Sequence, residues 1–189
     1  MSERPVSIQP AICHNGPMCG RYRLSRRKQL VEEYFDTAPR DADWSPRYNI
    51  APTQPVPVIC QHPKEPVRQV SSMGWGLIPH WSRNPSIASS TINAKSETAG
   101  TKPAFRDPIK FRRCLIPANG FYEWKGTATG KPLSRDCGMA GRTPRLLKPY
   151  DAKTMRSYPV STPINHVGND DEECPQPVVL TESQNRLFA

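Results

Sequence analysis

The stretch NGPMCGRY, residues 15–22, reads like a chain beginning a second time. Met18, Cys19, Gly20 and Arg21 follow a seventeen-residue leader, MSERPVSIQPAICHNGP, with no hydrophobic periodicity and a disorder-prone composition. The leader has no basic n-region followed by an apolar h-region, so it does not read as a secretory signal. Directly after it the sequence becomes basic and patterned. Residues 1–17 therefore read as a disordered leader or a mis-called start, and 18–125 as the main folded region.

The 189 residues suit one domain with loose ends, and 22 prolines favour short strands, turns and irregular segments over a helical bundle. No run of about 18 apolar residues exists, so nothing reads as a membrane span. The expectation is an intracellular protein with no membrane partner, nuclear in a eukaryote and cytoplasmic in a bacterium. The net charge of +9 is concentrated: residues 18–125 hold 17 Lys and Arg against 9 Asp and Glu, whereas 126–189 hold 8 against 7. That imbalance points to a polyanion, most simply nucleic acid, against the plainer reading of a basic, solvated face. Six cysteines, at 13, 19, 60, 114, 137 and 174, form no CxxC pair. They read neither as a disulfide framework in an intracellular chain nor as a closed zinc site, and no metal or cofactor is expected.

Moving outward from Arg21, Ser25 can cap a helix whose Leu30, Val31, Tyr34 and Phe35 share a face. RYNIAPTQPVPVIC runs into an extended segment with Val56, Val58 and Cys60 on alternate positions. Pro55 and Pro57 make that segment an edge strand, or no regular ladder at all. HPKEP reads as a turn, and VRQVSSMGWGLIPHW as a second strand ending in an aromatic corner. TINAKSETAGTKPAF reads as a short strand leading to a polar segment, helical at 95–100. FRRCLIPANGFYEWK reads as two strands, 113–118 and 121–125, around a turn at Asn119-Gly120. Residues 126–148 lose aromatics and period and read as an irregular junction. The segment 149–178 recovers one short extended piece near 157–161, with NDDEE as solvated acidic surface, and 179–189 is a tail.

MCGRYRL, YNIAPTQ, WGLIPHW, INAKSET and NGFYEWK, in that order over 18–125, together resemble the SRAP family. Its members are SOS-response-associated peptidases, also called abasic-site processing proteins. LLKPYDAKTMRSYPVST with INHV is similar to the family's C-terminal segment. The resemblance implies an α+β fold around a distorted, barrel-like, mainly antiparallel β-sheet with a few short helices. It also implies that the chain shields abasic sites in single-stranded DNA by cross-linking to them. The chemistry fits a terminal cysteine: an α-amine condenses with the ring-opened sugar aldehyde, and the neighbouring thiol closes a thiazolidine. An internal cysteine offers only an amide nitrogen, so Cys19 would have to become the first residue.

By the same resemblance Cys19, Asn93 and Glu123 are the catalytic candidates, Glu123 moving protons unless it is a plain surface-strand glutamate. Arg21 and Lys95 would hold phosphates near the lesion, and Asn49 and Asn93 would orient the sugar. Lys95 stands where the family usually has Arg, keeping the charge without the bidentate fork. Trp75 and Trp81 would stack on bases, with Trp75 equally readable as a core aromatic. Pro52, Arg106, Arg112 and Arg113 complete the expected DNA path.

The family's histidine motif, similar to HDRMP, has no counterpart here. The four histidines, His14, His62, His80 and His166, sit in other contexts. This reads as an internal deletion between Lys131 and Arg145 that leaves an incomplete fold. Two other functions stay open: a thiol peptidase acting on its own leader, and a non-covalent single-stranded DNA-binding remnant.

Overall fold

The computed structural model describes residues 20–38, 44–125, 133–137 and 156–179. The leader, Cys19, most of the junction at 126–148 and the tail from 180 onward lie outside the described residues.

Strand β1 (Arg21–Leu24) forms because its side chains alternate: Tyr22 and Leu24 are buried, while Arg21 and Arg23 turn to the other face. Its two neighbours are antiparallel, β3 (Arg47–Ile50) on one side and β6 (Gly120–Lys125) on the other. Strands β7 (Leu133–Cys137) and β8 (Ser157–Pro159) extend this into a five-stranded antiparallel sheet, ordered β3-β1-β6-β7-β8. In a second, three-stranded sheet β4 (Pro55–Gln61) pairs antiparallel with β5 (Arg68–Gly74), and β2 (Thr37–Ala38) joins β5 in parallel. The helices are short: α1 (Lys28–Phe35), α2 (Ser96–Ala99) and α3 (Pro108–Phe111). This is the α+β, mainly antiparallel architecture the sequence implied, and among the described residues neither sheet closes into a barrel.

Each face of the larger sheet has its own core. Tyr22, Leu24 and Ile50 pack with Val31 of α1 and with Val56, Val58, Ile59 and Val70 of the second sheet. On the other face Tyr122 packs with Val160, Ile164 and Cys174 of the C-terminal segment. Fully burying one such aliphatic or aromatic side chain contributes roughly 1.5–3 kcal/mol, so each cluster outweighs any single hydrogen bond beside it.

The proline-bearing strand β4 is an edge strand with a regular ladder, pairing from Pro55↔Gly74 to Gln61↔Arg68. Alternate residues of a strand direct their N–H to the same side. Ile59 donates away from β5, to the Leu115 carbonyl at 2.8 Å, so Pro55 and Pro57 share that outer side, where a missing N–H costs nothing.

Several expectations are corrected. Ser25 does not cap α1; its N–H and that of Arg26 are instead donated to the Asn119 side-chain oxygen, at 2.8 and 3.1 Å. Only the Val31–Phe35 stripe of α1 packs inward, and Leu30 and Tyr34 are exposed. Asn119-Gly120 makes no hairpin: 113–118 contributes one bridge, Leu115↔Ile59, to the other sheet, while β6 pairs with β1 and β7. No strand forms at 91–95; that segment follows the 3-10 turn Pro85–Ser90 and leads into α2, where the helix expected at 95–100 stands. Residues 133–137, read as irregular, form β7 because β6 and β8 supply backbone partners on both sides.

Tyr22 meets Trp75 edge-on, ring centroids 5.3 Å apart, and among the described residues its buried hydroxyl has no hydrogen-bond partner. Burial raises its pKa well above the ordinary 10.0. The unfolded chain therefore ionises this phenol first, so its contribution is complete below pH 10 and is lost as pH climbs past it. Tyr22→Phe is expected to change stability at neutral pH by less than ~1 kcal/mol and to flatten the alkaline decline. Urea unfolding from neutral pH into the alkaline range checks it; an unchanged alkaline limb would contradict the assignment.

Candidate functional site

Gly20 fixes where the chain enters β1, one residue after Cys19. The register Arg21↔Tyr122, carried back one residue, sets Gly20 across from Glu123. The register Tyr22↔Ile50, carried back two, sets it toward Pro52. Glu123 and Pro52 are both half-buried.

Arg21 is held from three directions. Its Nη1 donates to the Asn49 side-chain oxygen at 2.8 Å and to the Ile164 carbonyl at 2.9 Å. Its guanidinium carbon stands 5.7 Å from the Trp124 ring centroid, within cation–π range. Burial lowers its pKa from its ordinary value, and a guanidinium remains a cation at neutral pH regardless.

Asn49 is fully buried, and its amide nitrogen donates to the carbonyls of Ile164, His166 and Asn169 at 3.1, 3.0 and 2.7 Å. The Asp170 carboxylate accepts from the backbone N–H groups of Tyr48 and Asn49 and pairs with Arg47. Tyr122 donates its hydroxyl to the Tyr48 carbonyl, and the Trp124 indole N–H goes to the Asn165 side chain, both at 2.7 Å. Tyr48 in turn donates to Glu172, and burial followed by that carboxylate raises its phenol pKa. The acidic run read as solvated surface thus contributes one half-buried, inward-bonded carboxylate, Asp170, while Asp171, Glu172 and Glu173 are exposed as expected. A carboxylate next to unpaired strand N–H groups takes them as readily as water does.

On the opposite face of β1, Trp75 donates its indole N–H to the Ile92 carbonyl at 3.0 Å. Its backbone exchanges bonds with the Ala51–Gln54 turn, Thr53 N–H to the Trp75 carbonyl and Trp75 N–H to the Gln54 carbonyl. Gly76 follows at φ 141°, where a Cβ would lie 2.5 Å from the Ala88 carbonyl oxygen. This glycine is required for the corner to close on the Pro85–Ser90 turn. Asn93, half-buried, comes directly after Ile92. Trp81 is 53% exposed, and Lys95, Arg106, Arg112 and Arg113 are all exposed.

The family model for SOS response associated peptidase (SRAP) matches residues 18–136. The chain belongs to the SRAP family. Abasic site processing protein YoqW of Bacillus subtilis is 38% identical over 110 residues, covering 57% of this chain and 48% of that protein. Abasic site processing protein HMCES of Gallus gallus is 33% identical over 121 residues, covering 59% of this chain and 34% of that one. The chain thus spans about half, or less, of the length of these curated relatives. Among solved structures, a Bacteroides thetaiotaomicron protein aligns at a TM-score of 0.67 and 18% identity, over 85% of this chain and all of that one. A Bordetella bronchiseptica protein aligns at 0.51 and 27%, over 65% and 58%. No helix among the described residues is long and apolar enough to cross a membrane.

Of the SRAP residues singled out in the sequence, the structure joins Arg21 directly to Asn49 and sets Glu123 beside the entry to β1. No described contact ties Trp81, Lys95, Arg106, Arg112 or Arg113 to that pair. Sequence reading passed over Trp124, Asn165 and Asp170, whose bonded partners lie 41 to 123 residues away. Trp124 lay within the likeness of NGFYEWK and Asn165 within that of INHV, while Asp170 had no signal beyond its place in the acidic run.

Asn49→Ala should leave the Ile164, His166 and Asn169 carbonyls without their donor and cost ~3 kcal/mol or more. Urea unfolding measures the loss, and amide exchange should quicken first around 164–170.

Proposed function

We propose that this chain processes abasic sites in DNA, capturing them in single strands through Cys19 as a first residue with a free α-amine. The observation that carries the reading is the β1 register, which sets a half-buried carboxylate, Glu123, across from Gly20. The anchored Arg21 cation follows on the next residue. The names of the SRAP relatives support the substrate.

The Cys19 amine adds to the aldehyde carbon of the ring-opened sugar, and water leaves to give an imine. The thiol sulfur then bonds to that carbon while its proton passes to nitrogen, closing the thiazolidine. Glu123 takes and returns the protons of these steps, a role worth about 10²–10⁴-fold in rate. Arg21 neutralises a phosphate beside the lesion, and Asn49 acts through Arg21 by fixing its plane. Asn93 orients the sugar, with Pro52 at the rim. Trp81 stacks on a flanking base, worth ~1–3 kcal/mol. Lys95, Arg106, Arg112 and Arg113 follow the strand's phosphates.

A non-covalent reading has its own support. Among the described histidines, Nδ1 of His62 accepts the N–H groups of Lys64 and Glu65, and Nδ1 of His166 accepts that of Gly168. The Nδ1 atoms of both are committed to local turns, which weakens these two as proton-transfer groups beside Glu123; the third described histidine, His80, is exposed in the WGLIPHW corner.

A denaturing gel with single-stranded DNA bearing one abasic site separates the two. Protein beginning at Cys19 should give a denaturation-resistant band, while Cys19→Ala and protein whose Cys19 nitrogen is still an amide should give none. Glu123→Gln should slow the band by roughly 10²-fold or more. Reversible binding alone, with log affinity falling against log salt at a slope of about −3 to −4, would establish the non-covalent reading. Leader cleavage without DNA attachment would point to the peptidase.

A further inference from the structure

Two cysteines outside the larger sheet face each other across the junction of edge strand β4 and the 112–116 segment. Ile59 and Leu115 exchange both backbone hydrogen bonds, each at 2.8 Å, in an antiparallel bridge. The next pair along, Cys60 and Cys114, therefore occupies a non-hydrogen-bonded site. Opposed Cα atoms there stand about 4.5 Å apart with side chains on one face, inside the range a disulfide spans. Both are free thiols; Cys114 is exposed and Cys60 half-buried, its sulfur 3.6 Å from the Ser71 hydroxyl.

We propose that Cys60 and Cys114 form a redox pair, closed to a disulfide by hydrogen peroxide, that staples the 112–116 segment to β4. The Cys114 sulfur attacks one peroxide oxygen, giving a sulfenic acid and water. The Cys60 sulfur then displaces the hydroxyl from that sulfenic acid, releasing a second water and forming the S–S bond. In sum two thiols and one peroxide give one disulfide and two waters, the thiols oxidised and the peroxide reduced. Partial desolvation of the sulfur against β4, and then the nearby Cys60 sulfur, raise the Cys114 thiol above its ordinary range, so closure is slow at neutral pH and quickens in alkali. The closed loop, about fifty residues, carries Trp75, Trp81, Asn93, Lys95 and Arg106, and the staple holds Arg112 and Arg113 at its end.

Full-length protein treated with hydrogen peroxide, alkylated under denaturing conditions and digested should yield one dithiothreitol-sensitive peptide pair linking Cys60 to Cys114. Its mass should be two hydrogens below the sum of the thiol peptides. The melting temperature should rise by about 5 °C or more on oxidation. Cys114→Ser and Cys60→Ser should each abolish the linked pair and the rise, and Cys114→Ser, at an exposed position, keeps the comparison valid if Cys60→Ser folds poorly. Cys114 accumulating as a sulfinic acid with Cys60 still alkylated, or linkage of either to another cysteine, would overturn the proposal.

Discussion

The buried amide of Asn49 ties the chain's beginning to its end. Its nitrogen has two hydrogens to donate and finds three carbonyls, those of Ile164, His166 and Asn169, while its oxygen receives Arg21. A buried amide left unpaired costs about 1–3 kcal/mol, as does each carbonyl it abandons. The C-terminal segment therefore has to come back across β3 and β1 for the strands to be stable as they are. Once it does, Ile164 and Val160 cover Tyr122, Asn165 meets Trp124, and Asp170 closes the N–H edge of β3.

The same tie determines how Arg21 is offered. Both of its described bonds leave from Nη1, and the Trp124 ring lies on one side, so the guanidinium is held in one plane. A planar, pre-oriented guanidinium loses less side-chain freedom on meeting a phosphate than an exposed lysine does. Lys95 and the exposed arginines are of that second kind, suited to steering and salt-dependent affinity more than to placing one atom. The molecule thus separates a rigid cation beside the strand entry from mobile ones farther out.

Much of this was legible because local chemistry and fold agree. The prolines of β4 announced an edge, and the edge is where they stand, with Ile59 donating the kind of outward bond that they cannot. The helix at 96–99 and the strand after Arg68 followed from local pattern. The failures were all long-range. Asn119-Gly120 has the composition of a hairpin turn, but the Asn119 oxygen was taken by the backbone at 25–26. Asp170 has the composition of solvated surface, but β3 presented it with two unpaired N–H groups. Nothing within ten residues of either position records those partners. Asn49 was expected to orient the sugar; its burial was invisible until the segment 115 to 120 residues later was placed over it.

Strand parity supplies the last step. Arg21 opposes Tyr122 and Tyr22 opposes Phe121, so Arg21, Tyr122 and Trp124 share one face of the sheet while Tyr22, Phe121 and Glu123 share the other. A strand terminus is the one place where both faces meet around a single residue. On the proposed chemistry the two reacting groups need different help: a carboxylate to shuttle protons at the amine, and a fixed cation beside the phosphates. Strand parity puts Arg21 and Glu123 on opposite faces, so on the proposed chemistry the cation and the carboxylate act from two sides of the strand entry.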